Sequence, residues 1–203
     1  MKPPSPMLFR YTRLAMLLHW TMAVGILCMV VIGLVMTQLP LSPMLQFRLY
    51  QLHKSIGITV LFVAILRLLW RLGHRPPPPP DSLTPIEHLA AEGMHRLLYV
   101  FMFTMPLTGW AVVSVSPYNI PTVLFGLIPW PHIPILSTLH DKSTADAILS
   151  KVHAYGGWTL IVLLTVHAGA ALRHHLVLHD EVLERMLPAW LLRTRASRQQ
   201  EHS

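Results

Sequence analysis

SKVHAYGGWTLIVLLTVHAGAALRHH, residues 150–175, has the length and apolarity of a membrane-spanning helix, yet His153 and His167 sit inside the run. About 20 mostly apolar residues cross the hydrocarbon core of a bilayer as a helix, and a polar ring at that depth must find a partner. The two histidines are 14 residues apart. At about 1.5 Å and 100° per residue they lie about 21 Å apart along the axis and about 40° short of four full turns. Both rings therefore leave nearly the same face. One helix offers two sites at two depths.

The rest of the chain supports the membrane reading. Of 203 residues 53% are hydrophobic and 12% charged, with a mean hydropathy of +0.48, which leaves too little polar surface to cover a soluble globule. Four spans are expected, near 14–36, 49–72, 94–115 and 150–175. The first lies in a run with no Lys, Arg, Asp or Glu, and the second contains Lys54 and Arg67. The segment SPYNIPTVLFGLIPWPHIP, residues 116–134, is too broken by proline for a fifth long helix. The expected fold is all-α, an integral membrane four-helix bundle. Residues 1–13 carry no cleavable-signal pattern, so the first span is expected to persist.

Charge sets the expected orientation. Of the 16 Lys and Arg, four (Arg48, Lys54, Lys142 and Lys151) fall at the two connections on one side, and the other 12 at the tails, the middle loop and the helix ends facing them. Basic residues are retained in the cytoplasm, so both termini are expected inside. The chain then divides into an N-terminal cytoplasmic tail, 1–13, a transmembrane domain, 14–175, and a basic cytoplasmic tail, 176–203. The middle loop RLGHRPPPPPDSLTPIEH reads as a spacer stiffened by polyproline II. The arginines of LLRTRASRQQEHS, beside a membrane, read as topology and anionic-lipid contacts, so no nucleic-acid partner is expected. There is no phosphate-binding glycine loop. The single cysteine, Cys28, is expected as a buried packing residue, and it excludes a disulfide framework, a CxxCH attachment and a cysteine-held iron–sulfur cluster.

With alternating spans the histidines acquire depths. His19, in YTRLAMLLHW, starts about two turns above the inner end, the level of His167. His53, in LYQLHKSIG, lies near the outer start of its span, as His153 does in the fourth. The pairs are therefore His19 with His167 and His53 with His153, two bis-imidazole sites stacked across the membrane. A flat macrocycle between helices needs room, and one turn after each histidine stands a small residue: Ala23, Gly57, Gly157 and Ala171. Taken singly, each histidine reads equally well as a hydrogen-bonded packing residue or part of a proton path. Zinc or copper fits less well than haem, because histidine-only sites for those metals usually recruit three or more close ligands. No Asp or Glu lies in the central part of any span.

The chain resembles the prokaryotic cytochrome b561 family over residues 8–190. The likeness is carried by LLHW (17–20), LHKSIGI (52–58), KVHAYGGW (151–158), LTVHAGAALRHH (164–175) and RMLP (185–188). The resemblance implies a multi-pass bacterial inner-membrane cytochrome with two non-covalent b haems that exchanges electrons with the quinone pool. His19, His53, His153 and His167 carry over as axial ligands of the haem irons. With both axial positions filled, each iron changes oxidation state without binding substrate, so electrons move by outer-sphere transfer. Lys54 and Lys151 flank the outer histidines and suit haem propionates or an anionic electron donor such as superoxide. Arg67 suits an inner propionate or snorkels to the interface. His95 and His174, at the inner helix ends, are candidate quinone contacts, with interfacial solvation as the competing role.

Three functions remain open on sequence alone. The first is a stand-alone electron carrier or quinone-linked oxidoreductase. The second is the cytochrome subunit of a larger dehydrogenase or hydrogenase. The third is a histidine-lined metal or proton transporter.

Overall fold

The computed structural model describes residues 10–78 and 83–188. The N-terminal residues 1–9, part of the proline run and the basic tail from 189 onward lie outside the described residues. Four long helices dominate: α1 (Arg13–Gln38), α2 (Pro43–Gly73), α3 (Pro85–Val115) and α5 (Lys142–Arg173). Each is long and apolar enough to cross a membrane. Between α3 and α5 lie the strands β1 (Thr122–Leu124) and β2 (Ile128–Trp130) and the single turn α4 (Pro134–Ser137).

Local chemistry sets the helix starts. Thr12 caps α1 by accepting from the Ala15 N–H, and Asp141 caps α5 by accepting from the Thr144 N–H. Thr84 and Glu87 form a reciprocal capping box at α3, followed by Pro85 at the first helical position. The caps of α3 and α5 stand outside the apolar runs, and α2 starts at Pro43 in its first position, so all three begin several residues before the expected spans. At about 1.5 Å per residue, the 31 residues of α2 reach about 46 Å, past the hydrocarbon core into the interface.

The four helices meet in an apolar layer at mid-height. Met22 and Ile26 of α1, Val60 and Ala64 of α2, Met102 of α3 and Leu160 of α5 form its buried centre. Gly25 lets α1 approach α2, since a Cβ there would stand 3.0 Å from Val60 Cγ2. Successive helices α1, α2 and α3 pack side by side, and α5 packs along α3. That leaves α5 facing α1 and α2 across a looser seam.

The four-helix bundle stands as expected, with one addition and one correction. The proline-rich connection contributes a small antiparallel hairpin with Leu124 opposite Ile128, the only sheet among the described residues. Cys28 is exposed on the outside of the bundle and is not a buried packing residue. The reason is that α1 is apolar on every face. Without a polar stripe, a sequence cannot separate the core-facing side from the lipid-facing side.

The chain does not leave the bundle after α5. A π-helical turn, His174–Leu178, ends at His179 in the left-handed conformation, and the segment to residue 188 folds back across the end of the bundle where α1 begins, called the inner end below and its opposite the outer end. There Tyr11 N–H donates to the Arg185 carbonyl, Trp20 Nε1–H to the Met186 carbonyl, and the buried Arg185 guanidinium to the Pro78 carbonyl.

Candidate functional site

The seam between α5 and the α1–α2 pair holds two tiers of histidine. In the outer tier the rings of His53 on α2 and His153 on α5 have centroids 6.2 Å apart, nearly perpendicular to one another at 84°. In the inner tier His19 on α1 and His167 on α5 stand 6.3 Å apart at 60°. The mid-height apolar layer separates the tiers.

The outer tier opens into a cavity of about 700 Å³ lined by residues from all four long helices, with His53 and His153 among them. Glycines make its walls thin. A Cβ on Gly109 of α3 would stand 3.1 Å from His153 Cε1, and one on Gly33 of α1 would stand 3.5 Å from His53 Cε1. The Gly109 approach to His153 is tighter than a Cβ would ordinarily allow, whereas the Gly33 approach to His53 leaves room for ordinary contact. Gly57 and Gly157 also line the cavity, and their nearest side-chain neighbours are Met29 and Met105. Ala23 and Ala171, the corresponding inner positions, are half-buried.

Polar groups around this cavity are few. Lys54 lines it, whereas Lys151 is exposed and does not. His53 Nδ1, Gln51 Oε1 and Trp130 Nε1 are buried without a hydrogen-bond partner, and all three residues line the cavity. His153 is different, because its Nδ1 lies 3.0 Å from Thr108 Oγ1 on α3. The hairpin covers the outer mouth. Phe125 N–H donates to Ser55 Oγ, Ile133 N–H to Ser114 Oγ, and Gln51 Nε2 to the Pro121 carbonyl.

A third histidine stands beside the inner tier. His95 of α3 has its ring centroid 5.5 Å from that of His167. Among the described residues, however, no three His, Cys, Asp or Glu side chains converge as the ligands of a bare metal ion would. The Arg67 guanidinium lies 5.6 Å from the centroid of the Tyr99 ring, with its Nε buried and unpartnered. His174, the other candidate quinone contact, is buried at the π-helical turn, with Nδ1 against Asp180 Oδ2. Asp180 is fixed in turn by the Val182 N–H.

Thus the four spaced histidines meet in two pairs, and His95 joins the inner one. Sequence reasoning missed Gly33, Gly109, Thr108 and Asp180. The isolated glycines inside apolar runs were the available signal for close backbone approach.

The sequence pattern of the prokaryotic cytochrome b561 family matches residues 10–189. Cytochrome b561 homolog 2 of Escherichia coli K12 is 32% identical over 178 residues, which cover 88% of this chain and 91% of that protein. Cytochrome b561 homolog 1 of the same organism is 29% identical over 67% of this chain and 73% of its own length. A protein of Yersinia pestis named probable superoxide oxidase CybB is 30% identical over 68% of this chain and 73% of its own. With its four membrane-capable helices and paired histidines, this chain belongs to the prokaryotic cytochrome b561 family of haem b-binding membrane redox proteins.

Proposed function

We propose that the protein is a transmembrane dihaem b-type cytochrome of the bacterial inner membrane that transfers electrons between a donor on the outer side and the quinone pool. His53 and His153 would hold the outer iron, and His19 and His167 the inner one. The observation that carries this reading is the near-equal separation of the two ring pairs, 6.2 and 6.3 Å. Two imidazoles bound to one metal, each through a nitrogen about 2 Å away, have ring centres about 6 Å apart. His95 fits the role less well, because its 5.5 Å separation from His167 is too short for a metal between the rings.

The surroundings suit a large planar group. The outer cavity is mostly apolar, and glycine backbones flank both rings, which leaves flat space between helices. A haem held by each histidine pair would supply a one-electron carrier.

The remaining roles belong to side chains of this chain. Lys54, at the outer cavity, places a cation beside His53 and would attract an anionic donor or pair with a propionate. A relative carries the name probable superoxide oxidase, which makes superoxide the first donor to test. Arg67 brings a cation toward the inner tier, where its unpartnered Nε suits an acidic group. At the inner end, the His174–Asp180 pair can hold and pass a proton. That property suits contact with a quinone, whose reduction takes up protons with electrons.

The test is the absorption spectrum of the purified, detergent-solubilised protein, oxidised and reduced, with haem counted per chain. The expected result is a b-type spectrum with two haems per chain. A colourless protein, or one saturating at a single haem, overturns the dihaem reading.

A further inference from the structure

We propose that Thr108 is a positioning residue for His153, holding its imidazole as the Nδ1–H tautomer so that Nε2 is free to bind metal. The proposal rests on the ligand role given above to His153.

The argument is one of counting hydrogens. Thr108 Oγ1 lies 2.9 Å from the Met105 carbonyl oxygen and 3.0 Å from His153 Nδ1. A hydroxyl has one hydrogen to give, and a carbonyl can only accept. The hydroxyl hydrogen therefore goes to Met105, in the back-bond to a preceding turn that threonine commonly makes in helices. The lone pairs of Oγ1 are left facing Nδ1, and a 3.0 Å contact there requires the hydrogen to be on Nδ1. A neutral imidazole carries one N–H, so Nε2 presents a lone pair. Ligation through Nε2 needs that tautomer.

The neighbouring residue fixes the ring from the side. Gly109 follows Thr108 on α3, and its backbone lies so close that an added Cβ would stand 3.1 Å from His153 Cε1 and 3.7 Å from Nε2. One turn of α3 thus sets both the position and the protonation pattern of a side chain carried by α5. Among the described residues, none of the other three paired histidines has a side-chain hydrogen bond of this kind, and His53 Nδ1 is buried without any partner. The outer pair is therefore asymmetric. One ring is oriented by a hydrogen-bond chain, the other by fit against Gly33.

An acceptor for the distal N–H raises the basicity of a ligating imidazole and fixes its orientation. Loss of the Thr108 acceptor should therefore disfavour the oxidised form of the outer centre and loosen its haem, with no effect on the inner centre. The experiment compares Thr108→Val, Thr108→Ala and Thr108→Ser in the purified full-length holoprotein, by haem content and by redox titration of the two centres. Val and Ala should shift the outer transition to higher potential and weaken outer haem retention by about tenfold or more, the scale typical of such outer-shell bonds. Ser, which keeps the hydroxyl but not the volume, should behave as the parent. The unshifted inner transition reports that the bundle has folded. If Val fails to assemble, the contrast between Ala and Ser alone decides the matter. Outer transitions that are unmoved in Ala and Val, or equally moved in Ser, overturn the positioning role. His153→Ala is the separate control: both haems retained there would overturn the ligand reading itself, whereas a lost outer haem beside silent Thr108 variants would overturn only this proposal.

Discussion

Gly109 and Gly33 stand against the two outer imidazoles at different distances, and the difference predicts different outcomes for substitution. A Cβ on Gly109 would meet His153 at 3.1 Å, whereas one on Gly33 would meet His53 at an ordinary 3.5 Å. Gly109→Val should cost about 1–3 kcal/mol through overpacking. It should also lower outer haem content while sparing the inner haem. Gly33→Ala should be close to neutral in thermal unfolding and haem content. Equal effects would mean that the glycine contacts do not shape the site. Ala at His53 or His153 should disturb one and the same haem, and Ala at His19 or His167 the other. Because each pair acts as a unit, the double variant within a pair should lose little more than either single, while doubles across pairs should lose both haems. The pairing of the four histidine rings was legible from sequence because depth follows from span order, and equal depth on facing helices brings rings together. Thr108 was not legible. It acts through a contact between α3 and α5, and nothing in the spacing along one helix reports which neighbour it meets.

At the scale of elements, the hairpin over the outer mouth depends on two serines in neighbouring helices. Ser55 is 1% exposed, and its hydroxyl donates to the Gln51 carbonyl while accepting from the Phe125 N–H. Ser114, fully buried, does the same between the Trp110 carbonyl and the Ile133 N–H. Ser55→Ala removes the hydrogen bond from the Phe125 N–H, a loss of about 0.5–1.5 kcal/mol at this partly exposed turn. The expected outcome is a lower unfolding temperature and faster proteolysis within residues 118–133, with the inner redox transition unchanged. Unaltered proteolysis would show that the hairpin is held by other contacts. The long helices were legible from apolar length, though their true starts lay at capping residues outside the apolar runs. The hairpin was not. Its turn carries Phe125 and Gly126 with φ of 52° and 74°, the positive values of a tight hairpin turn, yet Phe-Gly is not a usual signature for one. Prolines at 117, 121, 129, 131 and 134 excluded a helix without saying what replaced it.

For the whole molecule, an even number of spans requires both termini at one end of the bundle, and the inner-end contacts meet that requirement. Tyr11, Pro78, Arg185 and Met186, from the N-terminal segment, the middle loop and the C-terminal segment, are tied together by hydrogen bonds at that end. Which side of the membrane this end faces is a matter of charge. With 12 basic residues assigned to it, against Arg48, Lys54, Lys142 and Lys151 at the other, it is the end expected in the cytoplasm, where Lys and Arg are retained. In that expected orientation the hairpin-covered cavity with Lys54 would face the outer compartment and a diffusing donor, while the His174–Asp180 pair would face the cytoplasmic leaflet, where a quinone would take up its protons. Reporter fusions after residue 190 and within residues 76–90 should therefore register as cytoplasmic, and one near Thr138 as external. Moving the charge should strain this arrangement. Replacing Arg10, Arg13, Arg71 and Arg75 with Gln while adding Lys near Thr138 should yield mixed or inverted reporter signals, because the bias is counted over short loops and span ends. If the fusions near Thr138 and within residues 76–90 registered on the same side, the four-span reading would fall. If every fusion reported the opposite side from that expected, the bundle would stand but the outer cavity would face the cytoplasm, and the donor would have to be sought there.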